Sequence, residues 1–265
     1  MAKLGKALFF GLVAVGLAAA CEVVEDEPLL EDETGGTGGE GVDATVEDNG
    51  DVTLTIESAP TWVVENADTF EANLAMINAT FALPQDVPVV FTTCGEENAY
   101  YDPSGPRVEI CEELLVAFET MAFDLEMDED TASDFVVGST YFVLFHELGH
   151  ALVDQLEIPV LGGEEVAVDQ FSTLIMISGG VAEMAVLGTV YFAASDGGGV
   201  PAYWDVHPMG EQRFYNTTCL VFGSDPASYA ELVPDLLPED RAVTCPTEYE
   251  DISSSWDALL EPYYL

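Results

Sequence analysis

The 265-residue sequence carries fifty Asp and Glu against five Lys and Arg, a formal net charge of −45. Such an excess excludes nucleic acid as an expected partner, because a polyanion would be repelled instead of exchanging its counterions for basic side chains. Its plain consequence is a solvated, self-repelling surface that keeps the protein soluble.

Lys3 and Lys6 precede an apolar run from Ala7 to Val15, and small residues follow up to Cys21, which is the layout of an export signal over residues 1–20. Leu17-Ala18-Ala19-Ala20-Cys21 is similar to a bacterial lipobox, so Cys21 is expected to become a lipidated N-terminus. Ala18, where leucine is usual, leaves simple cleavage and release as the alternative. The expected location is the bacterial cell envelope, on the periplasmic or outer-membrane side, with membrane contact through an N-terminal lipid anchor. Residues 21–51 are acidic and Gly-rich, offer little to bury, and read as a flexible tether.

Residues 52–265, a little over two hundred, are long enough for one sizeable core or two small lobes around a cleft. Phe70, Leu74, Ile77 and Phe81 recur at helical spacing, predicting a helix over 65–81 that Pro84 stops. Val87 to Thr92 and Arg107 to Ile110 read as strands, and the turn-rich segment between them suggests a hairpin. Four cysteines remain beyond Cys21; of the three pairings they allow, Cys94 with Cys111 and Cys219 with Cys245 is favoured because each closes a short loop.

A helix is predicted over 112–123, then a long one capped by Ser133 or Asp134 and running to about Leu156. Further helices are expected over 164–177, 181–194, 210–222 and 249–260. The apolar stretch from Phe171 to Ala194 is broken by Gly179 and Gly180 and interrupted by Glu183, so it reads as two buried helices and not a membrane span. The fold class is α+β, helix-rich with a small sheet.

The chemistry concentrates in Phe145-His146-Glu147-Leu148-Gly149-His150. Positions four apart share a helix face, so His146 and His150 can offer imidazoles to one zinc ion while Glu147 reaches a water activated there. A catalytic zinc site of this kind takes three protein ligands and keeps one position open. Glu165 and Asp169, again four apart on a predicted helix, supply a third ligand and a carboxylate to hold the other nitrogen of a ligating histidine. A solvated acidic helix start explains Glu164 and Glu165 in the absence of metal.

The stretch HELGHALVDQLEIPVLGGEEVAVDQF resembles the gluzincin pattern, H-E-x-x-H followed by E-x-x-x-D, in which the later Glu is the third zinc ligand. With CGEENAYYDPSGPRVEICEELL before it and DVHPMGEQRFYNTTCLVFGSDP after it, the chain resembles a family of bacterial proteins of unknown function grouped with metallopeptidases. The resemblance implies a zincin-like fold, with an edge strand beside the cleft, an active-site helix and a second helix giving Glu165. Asn98, Ala99, Tyr100 and Tyr101 occupy the place of that edge strand, although turn propensity explains them almost as well.

His207, the only histidine outside the motif, is a candidate to stabilise charge on a substrate oxygen, with Asp205 orienting it and Arg213 an alternative donor. The expected function is therefore a zinc-dependent hydrolase acting on peptide or protein substrates. The competing expectation is a catalytically silent zincin-like envelope lipoprotein, a binding or assembly module. Glu147 weighs against it, because a structural zinc needs no general base.

Overall fold

A computed structural model describes residues 49–195 and 204–265. The export segment, Cys21 and nearly all of the tether lie outside the described residues. The chain opens on strand β1 (Val52–Ile56), crosses through helices α1 (Thr61–Glu65) and α2 (Ala67–Thr80), and returns as β2 (Val87–Thr92). β3 (Ala99–Asp102) and β4 (Arg107–Cys111) complete a four-stranded sheet in the order β1-β2-β4-β3. Seven α-helices follow among the described residues: α3 (Glu112–Asp124), α4 (Glu129–Gln155), α5 (Glu164–Ser178), α6 (Ala182–Ser195), α7 (Gly210–Ser224), α8 (Glu239–Ala242) and α9 (Cys245–Leu260). The α+β, helix-rich expectation is met.

The helix expected over 65–81 forms as α2, and the short α1 before it was not expected. Asn66 stands between the two, its side-chain amide donating to the Trp62 carbonyl at 2.7 Å beside its own backbone N–H at 3.1 Å. The expected hairpin is also corrected. β2 pairs with β4 in parallel, Val89 opposite Val108, and β3 is the antiparallel partner of β4, Tyr101 opposite Val108. The intervening segment has room for a strand of its own, so the chain reverses twice before β4 docks. Val87, Val89 and Phe91 of β2 are fully buried, as suits an interior strand of a parallel pairing.

The two disulfides join the expected partners. Cys94 and Cys111 tie the end of β2 to the end of β4, with Cα atoms 5.4 Å apart. Cys219 and Cys245 tie α7 to the start of α9, with Cα atoms 5.1 Å apart. α9 begins four residues earlier than the sequence suggests, since Pro246 fits the first helical turn, where its missing N–H costs nothing.

α4, 27 residues long, is the axis of the molecule and starts at a different cap from the one expected. Asp128 accepts from the Thr131 backbone N–H at 3.0 Å, so Ser133 and Asp134 fall inside the helix. α4 passes between the sheet and the other helices, burying Phe135, Phe142, Leu144 and Leu148 almost completely. Its closest approach to α6 is through glycine: a methyl on Gly188 would lie 2.7 Å from the Gly138 carbonyl carbon, so the two backbones touch. The Phe171 to Ala194 stretch forms α5 and α6 around a turn at Gly179–Gly180, and both helices pack into the core.

Candidate metal centre

One residue inside the motif decides how near α5 can come to α4. A Cβ on Gly149 would meet the Val168 Cβ at 3.0 Å and Phe171 Cδ1 at 3.2 Å, tighter than ordinary packing, so the glycine lets α5 sit close at this height. That approach carries Glu165 and Asp169 to the two histidines. His146 Nε2 lies 3.2 Å and His150 Nε2 3.5 Å from Glu165 Oε2. Ligand atoms of His146, His150 and Glu165 all fall within 4.8 Å of one another.

Both imidazoles are held from behind by carboxylates. His146 Nδ1 is 2.8 Å from Asp169 Oδ1, and His150 Nδ1 is 2.7 Å from Glu164 Oε1. An ionised carboxylate only accepts, so each Nδ1 carries a proton and each Nε2 is left turned towards Glu165. Glu165 Oε2 is buried and has no hydrogen-bond partner among the described residues, with the two Nε2 atoms and His207 Nε2, also at 3.2 Å, around it. A cation among these groups would give the buried oxygen a partner, and the residues fit a bound metal ion.

Burial alone would lower His146, but the Asp169 and Glu165 carboxylates beside it outweigh this and raise it. His150 is likewise lowered by burial, yet Glu165 and Glu164 lift it to about 9. Burial would raise Glu165, but the three histidines hold its carboxyl far below the ordinary value. Glu147 behaves oppositely: burial raises it, prevailing over the attraction of His146 and His150. A carboxylate with heightened proton affinity beside a metal site is suited to taking up a proton.

β3 lies at the outer edge of the sheet, as the Asn98 to Tyr101 segment suggested, and packs on α4. The Tyr101 backbone N–H interacts with the Glu147 carboxyl, and the Tyr101 hydroxyl donates to Asp154 Oδ2 at 2.8 Å. The strand edge thus runs beside the general-base candidate. A larger cavity, about 670 Å³, lies between α3 and α6, and none of the metal-site residues lines it.

His207 stands in the segment before α7, half exposed, with Nδ1 3.2 Å and its backbone N–H 3.0 Å from Asp205 Oδ1. Asp205 therefore orients the ring while Nε2 faces Glu165. Arg213, expected as an alternative donor to substrate, is instead buried and committed elsewhere. Its Nε and Nη2 donate to the two oxygens of Asp169 at 2.8 and 2.6 Å. Sequence reasoning missed this pairing and the Glu164 bond to His150. The second had a visible signal, two adjacent glutamates opening α5; the first had none, because 44 residues separate its partners.

Comparison with curated proteins and with solved structures gave no significant match. A family model described as "Putative metallopeptidase" (DUF4344) matches residues 55–260, spanning β1 to the end of α9 and so the whole metal centre. With the greater part of its length matched, the chain belongs to this metallopeptidase family, which implies a metal-dependent hydrolase.

Proposed function

We propose that the protein is a zinc-dependent peptidase of zincin-like type, with His146, His150 and Glu165 as ligands and Glu147 as general base. The observation that carries this reading is the convergence of two back-bonded imidazoles on the unpartnered Glu165 oxygen, next to a buried carboxyl of raised proton affinity. Two imidazoles and one carboxylate are a donor set that catalytic zinc uses, and bound zinc would polarise a carbonyl and acidify water at the site.

The chain's own groups supply the rest. Glu147 takes a proton from the attacking water as oxygen adds to the peptide carbonyl carbon, then passes it to the departing amine nitrogen as the C–N bond breaks. The free edge of β3 can pair with an extended substrate backbone, which favours peptides over small esters. His207, oriented by Asp205, can donate to the carbonyl oxygen as it gains negative charge. The export-type N-terminal sequence and the two disulfides support an exported location for this activity.

Glu147→Gln tests the proposal directly. The variant should keep its zinc, because Glu147 is not a ligand, and cleave peptides about 10² to 10⁴ times more slowly. Cleavage at the parent rate, measured on a proteome-derived peptide mixture beside metal analysis, would remove the peptidase reading and leave a zinc-holding binding module.

A further inference from the structure

α7 carries one of the three arginines beyond the export segment, and it is 7 % exposed. A guanidinium that far from water needs an acceptor for each donor direction and a surface for its faces. Asp169 provides the acceptors through the two-pronged bond from Nε and Nη2. Phe192 of α6 provides the surface, its ring centroid 3.7 Å from the guanidinium carbon, with Phe142 of α4 at 5.8 Å. Three helices therefore converge on this one cation.

The acceptor it grips is not idle. Asp169 Oδ1, which receives Arg213 Nη2, is the same oxygen that faces His146 Nδ1 at 2.8 Å. The Thr173 hydroxyl, which donates to the Asp169 backbone carbonyl at 2.8 Å, makes no bond to the carboxylate. Arg213 is thus what fixes the carboxylate plane through its two-pronged bond. Its Nη2 also stands 3.5 Å from His146 Nδ1, so the guanidinium borders the ring that the carboxylate holds.

We propose that Arg213 is a positioning residue of the metal centre: through Asp169 it holds the His146 ring in place, with Nε2 aimed at the ion. This rests on the metal-site reading above. The prediction is specific to the fork geometry, since lysine carries the charge but makes one bond where arginine makes two.

The test uses the full chain with Arg213→Met, Arg213→Lys, Asp169→Ala and the double variant Asp169→Ala/Arg213→Met, with His146→Ala as control. Zinc affinity is measured by competition with a chromophoric chelator, and the cobalt-substituted proteins give absorption spectra that report ligand geometry. Arg213→Met should weaken zinc binding about 10 to 100-fold and shift the cobalt bands, with Arg213→Lys in between. In the Asp169→Ala background, Arg213→Met should change the affinity by no more than about twofold, since the route from Arg213 to the histidine is already cut. Parent-like affinity and spectrum in both Arg213 variants, or full additivity in the double variant, would overturn the proposal. If Arg213→Met does not fold, the Arg213→Lys affinity and spectrum decide by the same criterion. His146→Ala separates the two layers: if it binds zinc as the parent does, the metal site itself is wrong, whereas its failure to bind beside normal Arg213 variants refutes only the positioning role.

Discussion

Glu164 and Glu165 are neighbours in sequence, yet the structure places them differently about the candidate metal centre. Glu165 offers Oε2 to the centre itself, 3.2 to 3.5 Å from both motif Nε2 atoms, with His207 Nε2 also at 3.2 Å. Zinc held by four protein ligands is worth about 10 to 16 kcal/mol, or about 2.5 to 4 kcal/mol for each, so Glu165→Ala should weaken binding about 10² to 10³-fold. Glu164 bonds the back of His150, but its side chain is 48 % exposed and water can replace it. An exposed ionic hydrogen bond is worth about 1 kcal/mol or less, so Glu164→Ala should cost no more than about fivefold. Asp169→Ala, buried behind His146, should fall between at about 10 to 100-fold. Chelator competition at fixed pH and ionic strength would measure all three on one scale. A loss for Glu164→Ala equal to or above that for Glu165→Ala would refute the assignment, and so would a Glu165→Ala protein within threefold of the parent.

His207→Ala should keep its zinc and its melting temperature while turnover falls about 100-fold, because only charge developing on the substrate oxygen needs it; a variant with normal turnover, or one that simply loses zinc, rules out that role. The stability of the metal-free and zinc-loaded forms should diverge with pH. His150 rises from its ordinary 6.5 to about 9, so in the metal-free chain its contribution is full below pH 6.5 and is lost as pH climbs to about 9. Zinc needs the neutral ring, so its binding strengthens over that same window. The difference in Tm between the two forms should therefore widen from about pH 6.5 to about pH 9, and calorimetric scans showing a constant or narrowing gap would contradict the linkage.

How much of this was legible in the sequence follows from the range of the interactions. His146 and His150, or Glu165 and Asp169, lie one helical turn apart, and helix geometry puts such pairs on one face whatever surrounds them. The helices bearing them, the break at Gly179–Gly180 and both disulfides were accessible for the same reason, since each depends on short separations along the chain. Helix boundaries were less so: Asn66 and Asp128 act through single side-chain bonds that compete with neighbours equally able to make them.

The tertiary structure decided what periodicity is silent about. Parallel pairing of β2 with β4 depends on β3 folding back between them, and a strand's alternation does not name its partner. The absent side chain of Gly149 matters only because α5 packs there, and that packing turns two separate i, i+4 pairs into one convergent set of donors. Arg213 shows the same dependence most plainly. By composition it is one basic residue in an acidic chain, best explained as a surface partner for nearby acids. Only the docking of α7 against α5 and α6 buries it, and burial, by removing water as an alternative partner, makes its bond to Asp169 decisive for the histidine beyond.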